Sequence, residues 1–138
     1  MEKIQVNAII ERAKDGTFSI YTDNDKLPYT ITGTGKTLEE AKQVFLGGYN
    51  DTREYFKSEG KRFQEAQFAY VYDFASFLAY YTQVFSLAGL SHLTGINPQQ
   101  LSHYATGRRN PSAKTMQRID TALHSFSQDL ASFSFVHA

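Results

Sequence analysis

The sequence predicts an α+β chain whose N-terminal half has the order β-β-β-α-β and whose C-terminal half is all-α with a closing C-terminal strand. Three patterns lead to this prediction. Apolar residues alternate at period two in the first half, recur every three or four residues in the second, and alternate again near the C-terminus. We therefore expect two domains, at residues 1–72 and 73–138.

Four strands are predicted in the N-terminal domain. Residues 4–10 alternate apolar and mostly polar side chains, which is typical of a half-buried strand. The turn signal Asp15-Gly16 separates this strand from a second one at residues 17–22. A short third strand is expected at residues 29–32 and a fourth at residues 67–72.

One long helix is predicted between the third and fourth strands. Thr37 is suited to be its N-cap, and Glu40 completes a capping box three residues later. The spacing predicts a buried stripe through Leu38, Ala41, Phe45, Gly48, Thr52 and Tyr55. We expect Gly48 to let the helix backbone approach the sheet, and the alternative is a helix that breaks at Gly47, because glycine is a poor helix former.

Four helices are predicted in the C-terminal domain. Asp73 is suited to cap the first, over residues 74–82, and Ser86 the second. Asn97 and Ser112 begin the third and fourth. The spacing of three and four gives their apolar sides: Phe74, Phe77, Leu78, Tyr81, Leu87, Leu90, Leu93, Leu101, Tyr104, Met116, Ile119, Leu123 and Phe126.

The second and third of these helices are joined by a tight turn, which predicts a helix-turn-helix. Gly95 can take the positive φ that such a turn needs, and Ile96 is expected to fill the turn from inside. Pro98 suits the first position of the third helix, and Gly107 is expected to end it.

The polar side of the third helix is the predicted DNA-binding surface. In a helix lying in the major groove, side chains near its N-terminus reach the base edges, and amides suit adenine because they both donate and accept. Serine hydroxyls and the arginines of the following loop suit phosphates. The predicted contact residues are Ser86, Asn97, Gln99, Gln100, Ser102, His103, Arg108 and Arg109.

The charge distribution agrees with this prediction. Residues 1–73 carry ten Lys and Arg against twelve Asp and Glu, whereas residues 74–138 carry four against two, so the net charges are −2 and +2. The sequence has no acidic residue between Asp73 and Asp120. A surface without carboxylates suits a polyanion, although four cations are also compatible with a mildly basic face.

Composition and spacing argue against an enzyme and against metal or cofactor sites. The chain has no cysteine, which excludes disulfides and a thiol nucleophile and fits a cytoplasmic protein. Residues 33–37 place Gly, Lys and Thr at a helix start, as in a phosphate-binding loop. That loop has four residues between its two glycines, whereas here one residue separates Gly33 from Gly35. The acids Asp23, Asp25, Glu39 and Glu40 fit solubility and capping better than metal binding. Neither a signal peptide nor a membrane-spanning run is expected.

The last residues are predicted to form the closing strand. Phe133 and Phe135 alternate with Ser132 and Ser134 within residues 130–136. An apolar strand needs a partner, and either residues 67–72 or a second subunit could provide one.

The N-terminal half resembles HicB-type antitoxins. The resemblance rests on residues 18–21, on Leu27-Pro28 in the next loop, and on residues 35–41, Gly-Lys-Thr-Leu-Glu-Glu-Ala. Tyr29 stands where that family has glycine, and Lys36 stands where it has aspartate. The C-terminal half resembles the lambda-repressor-like (Xre-type) helix-turn-helix of many such proteins.

The resemblance implies a degraded ribonuclease-H-like domain that neutralises a small HicA-like ribonuclease toxin. It also implies that the C-terminal domain represses its own operon by binding operator DNA as a homodimer or higher homo-oligomer. Two alternatives remain. The chain could be a stand-alone transcriptional regulator whose N-terminal domain oligomerises or senses a ligand, or, as the last choice, a ribonuclease-H-like enzyme.

Overall fold

The computed structural model describes residues 2–23 and 26–137, so Asn24 and Asp25 of the predicted loop lie outside the described residues. The chain divides into two compact units, Met1–Phe77 and Leu78–Ala138. The described elements are β1 (Ile4–Arg12), β2 (Phe18–Asp23), β3 (Thr32–Gly35), α1 (Leu38–Ser58), β4 (Ala66–Tyr72), α2 (Phe74–Tyr81), α3 (Leu87–Thr94), α4 (Pro98–Ala105) and α5 (Ala113–Ala131). The predicted α+β class and the order β-β-β-α-β are confirmed.

A mixed sheet with the strand order β3-β2-β1-β4 is the base of the first unit. β1 pairs antiparallel with β2, β2 pairs antiparallel with β3, and β4 runs parallel to β1. The period-two pattern of β1 is confirmed, because Val6, Ala8 and Ile10 are all buried. Ile20 lies opposite Ile10 in the register and is fully buried, so the two strands share one core face.

The third strand lies later in the sequence than predicted. It covers Thr32–Gly35 and not residues 29–32, and its Gly33 is opposite Ile20. Glycine is depleted in strands in general, so the sequence pattern does not predict a strand at these residues. Glycine is needed at both positions of this strand. A Cβ at Gly33 would lie 2.5 Å from the backbone nitrogen of Phe45, and a Cβ at Gly35 would lie 2.6 Å from the backbone nitrogen of Ala41. Only glycines let α1 approach this closely.

Helix α1 is continuous from Leu38 to Ser58, so the alternative of a break at Gly47 is wrong. Gly48 does not provide the close approach to the sheet, since a Cβ there would be 3.7 Å from Ile31 Cγ2, an ordinary contact. The predicted stripe is wrong at its end. Tyr55 is 56% exposed, and Tyr49 is buried instead.

The capping box of α1 is confirmed. The Thr37 hydroxyl accepts a hydrogen bond from the Glu40 amide at 3.1 Å, and a Glu40 carboxylate oxygen accepts one from the Thr37 amide at 3.3 Å. Two amides of the first turn thereby gain partners that the helix itself cannot supply.

An aromatic cluster joins α1 to the start of β4. Tyr29 stacks on Phe63 with ring centroids 4.9 Å apart, and Tyr49 lies beside both rings. The Tyr49 hydroxyl donates to Glu65 at 2.9 Å and accepts from the Ala66 amide at 2.8 Å. Tyr29 is therefore a core residue.

The predicted closing strand is wrong. Helix α5 continues through Ala131, so the first residues of that strand are its last turn, and residues 133–137 belong to no strand or helix. The reason is that Leu130 continues the helical spacing of Ile119 and Phe126, and this spacing outweighs the alternation of the two following phenylalanines. Phe135 is 82% exposed.

Candidate nucleic-acid interface

Helix α3 begins and ends as the sequence predicts. The Ser86 hydroxyl accepts a hydrogen bond from the Gly89 amide at 2.9 Å, which makes Ser86 the N-cap. Gly95 ends the helix with φ 74°, a left-handed conformation that glycine adopts without strain, and its amide donates to Ser91 O at 2.7 Å. The tight turn of the predicted helix-turn-helix is therefore present.

Thr94 supports this turn from inside, a role that the sequence analysis missed. Its hydroxyl donates to Leu90 O at 2.7 Å and accepts from the Ile96 amide at 3.2 Å. Thr94 and Ile96 are both buried, so the hydroxyl satisfies two backbone groups at the edge of the core. Threonine just before the glycine was the available signal, because Ser and Thr often bond to nearby backbone groups.

Helix α5 also contacts the turn. Arg118 places a guanidinium nitrogen 3.4 Å from Gly95 O, and a Cβ at Gly95 would lie 2.5 Å from the same nitrogen. From the sequence, Arg118 is recognised only as a basic charge. In the structure it also donates a hydrogen bond from the exposed surface of α5 to the α3–α4 turn.

Helix α4 presents one buried and one polar side. Asn97 caps it by accepting a hydrogen bond from the Gln99 amide at 2.8 Å, and Pro98 occupies the first turn. Leu101 and Tyr104 are buried, as predicted.

The predicted contact residues fall into two groups. Four of them line one shallow depression of about 350 Å³ on α4: Asn97, Gln99, Gln100 and His103. Ser86 is the N-cap of α3, Ser102 is half-buried on α4, and Arg108 and Arg109 are exposed in the loop after α4.

The members of the depression differ in how the protein surrounds them. The Gln100 side-chain amide donates a hydrogen bond to the hydroxyl of Tyr104, one helical turn later, at 3.1 Å. This bond holds the Gln100 side chain against the buried Tyr104. His103 is half-buried, and within the part of the chain described here its Nδ1 is buried without a hydrogen-bond partner. Asn97 and Gln99 remain exposed.

Other kinds of site receive no positive evidence. Among residues 2–23 and 26–137, no group of three His, Cys, Asp or Glu side chains is arranged to hold a metal ion. Within the same ranges, none of the helices combines the length and apolar character needed to cross a membrane.

Comparison with known proteins gives one match, which lies within the second unit. The family model described as helix-turn-helix matches residues 85–125, which contain α3, α4 and the first part of α5. No curated protein and no solved structure matches the chain. The family match supports a sequence-specific DNA-binding regulator. The comparisons give no support for the resemblance of the N-terminal half to HicB-type antitoxins.

Proposed function

We propose that this chain is a transcriptional repressor that inserts α4 into the major groove of operator DNA. The observation that carries the proposal is the depression formed by Asn97, Gln99, Gln100 and His103, because it gathers four hydrogen-bonding side chains at one place on the surface of α4 and its N-cap. The family match over residues 85–125 supports it.

Besides Asn97, which caps α4, each predicted contact residue has a chemical role in this proposal. Gln99 is exposed and can donate and accept at once, which suits the N6 and N7 edge of adenine. Gln100 donates to Tyr104 in the structure, and in this proposal its side-chain oxygen accepts from a base. His103 would contact the base at the far end of the depression. Ser86, Ser102, Arg108 and Arg109 would contact phosphates and fix the position of α4 on the duplex.

Selection from randomised duplexes, followed by titration of the selected duplex, tests this proposal. We expect Gln99→Ala or Gln100→Ala to weaken binding by about 1–3 kcal/mol and to relax the preference at one base position. Gln128→Ala removes the same exposed amide from α5 and is the matched control. Failure to select any consensus, or equal binding by all four proteins, would contradict the proposal.

A second and narrower proposal is that the chain is the antitoxin of a HicA/HicB-type pair. The capping box of Thr37 and Glu40, placed after β3 in a β-β-β-α-β unit, supports it because residues 35–41 carry the resemblance. In this proposal the first unit covers a HicA-like ribonuclease toxin, while the second represses the operon.

Co-expression with the neighbouring reading frames tests the antitoxin proposal. We expect a small basic partner to stop growth when expressed alone, to be neutralised by this chain, and to copurify with it. A chain that binds DNA but neutralises none of its neighbours would instead be a stand-alone regulator, in which the first unit oligomerises or senses a ligand.

A further inference from the structure

Tyr104 combines a core ring with a hydroxyl that reaches the depression on α4. The residue is 6% exposed, and Leu101, three residues earlier on α4, is buried with it. A phenylalanine would fill the same space, but a buried tyrosine hydroxyl needs a hydrogen-bond partner. One such partner is the Gln100 side-chain amide, which donates to the hydroxyl at 3.1 Å. The hydroxyl therefore connects the core of the second unit to a member of the depression.

The two glutamines of the depression differ because of their positions on α4. Residues four apart lie one turn apart on the same side of a helix, so Gln100 lies beside Tyr104 and Gln99 lies beside His103. Gln100 is half-buried at the edge of the core, whereas Gln99 is exposed. Within the described part of the chain, the Gln99 side chain makes no hydrogen bond that resembles the one between Gln100 and Tyr104. The protein thus holds one of the two amides and leaves the other exposed.

We propose that the Tyr104 hydroxyl positions Gln100 for base recognition, an inference that rests on the proposed repressor function. Tyr104 is a positioning residue, because it acts on DNA only through Gln100. A glutamine amide has two N–H donors and an acceptor oxygen. Donation of one N–H to Tyr104 leaves the other N–H and the oxygen, which are the two groups that the N7 and N6 edge of adenine requires.

The advantage of this arrangement is that Gln100 is ordered before DNA binds. A free glutamine side chain rotates about several bonds, and it loses that freedom when it contacts a base. A hydrogen bond within the protein changes an equilibrium constant by about three- to ten-fold. We therefore expect the bond to Tyr104 to strengthen the Gln100 contact by this factor and to sharpen the preference for one base.

Titration of Tyr104→Phe with the selected duplex, and with the same duplex changed at each base position, tests the proposal. The variant keeps the ring and removes the hydroxyl. We expect it to weaken binding of the selected duplex by about three- to ten-fold and to relax the preference at the base position that Gln100→Ala also relaxes. In the Gln100→Ala background, Tyr104→Phe should have no further effect on that preference. A hydroxyl with a purely structural role would lower thermal stability and leave the relative affinities for the four bases unchanged, which would overturn the inference.

Tyr49→Phe is the matched control. It removes a tyrosine hydroxyl from the first unit that also belongs to a buried residue and also has partners, since it donates to Glu65 and accepts from the Ala66 amide. We expect this variant to lose stability and to keep the base preference of the wild type. An equal change of preference in both tyrosine variants would show that the effect does not pass through Gln100.

Nuclear magnetic resonance relaxation of the side-chain amides provides a second measurement, which needs no variant. In the full chain without DNA, we expect the order parameter of the Gln100 amide to be clearly higher than that of the Gln99 amide, with the Gln99 value below about 0.6. Equal values would overturn the inference, even if Tyr104→Phe failed to fold.

The outcomes separate this inference from the proposal on which it rests. A base position that depends on Gln100 but is unaffected by Tyr104→Phe would overturn the positioning role and leave the repressor proposal intact. Failure to select any consensus would overturn the repressor proposal, and the positioning role would fall with it.

Discussion

Individual residues matter most where α1 meets the sheet. Gly33→Ala should destabilise the first unit by about 1–3 kcal/mol, because the new methyl group would lie 2.5 Å from backbone atoms of Phe45 that cannot rotate away. Gly47→Ala is the matched control, since its Cβ would have no neighbour within 4 Å. Alanine is the better helix former, so this variant should gain up to about 1 kcal/mol. Denaturant unfolding measures both changes, and equal stabilities would refute the close-approach explanation.

The sequence predicts residue roles well when the partner is close along the chain. Thr37, Ser86 and Asn97 are predicted to cap helices, and each accepts a hydrogen bond from an amide two or three residues later. The role of Gly33 could not be predicted in this way. It depends on the distance between two elements, which no local pattern contains.

At the scale of elements, an ion pair links α1 to the residue before β4. Arg53 Nε lies 2.8 Å from Glu65 Oε1, and the Tyr49 hydroxyl donates to the other carboxylate oxygen. The hydrogen bond from Arg53 is the main cause that lowers the pKa of Glu65 below its ordinary value of 4.5. The pair therefore stabilises the fold only while Glu65 is ionised.

The pH dependence of this contribution can be predicted with its sign. Because the folded-state pKa of Glu65 is lower than that of the unfolded chain, the stabilisation is complete above about pH 4.5 and is lost as the pH falls through the folded value. Glu65→Gln should cost about 0.2–1 kcal/mol at pH 7, the range for partly exposed pairs, and less at pH 3. Urea unfolding at both pH values measures the difference. In the Arg53→Gln background, Glu65→Gln should lower the free energy of unfolding at pH 7 by less than it does in the wild type. An equal decrease in both backgrounds would show that the two residues are not coupled.

Elements were predicted best when one periodicity was uncontested. β1 and α1 each show a single period, and both were placed correctly in type and approximate extent. β3 was misplaced because its two glycines carry no strand signal, while buried Tyr29 and Ile31 just before it do. The C-terminus shows both periods, and the helical one determines α5 up to Ala131. Buried apolar side chains at alternating positions, such as Tyr29 and Ile31, therefore do not by themselves distinguish a strand from an irregular segment beside it.

For the whole molecule, the sequence contained more information about the second unit than about the first. A helix-turn-helix is built from caps, a glycine turn and short apolar repeats, all of which are local, and residues 85–125 match its family model. The surface of the first unit is assembled instead from β1 to β4 and α1, which are distant from one another in the sequence. No short sequence motif reveals the chemistry of this surface. Identifying a molecule that it binds is therefore what distinguishes an antitoxin from a stand-alone regulator.

The salt dependence of DNA binding tests whether the charge asymmetry has a function. The full chain has no net charge, so any strong dependence must come from cations positioned locally at the DNA surface. Arg108 is exposed in the loop after α4, and we expect Arg108→Ala to weaken binding to all duplexes alike and to reduce the slope of log K against log salt by about one. Arg62→Ala removes an equally exposed arginine from the first unit and should leave the slope unchanged. Equal slopes for the wild type and Arg108→Ala would show that Arg108 contacts no phosphate, and a reduced slope for Arg62→Ala would place DNA on the first unit as well.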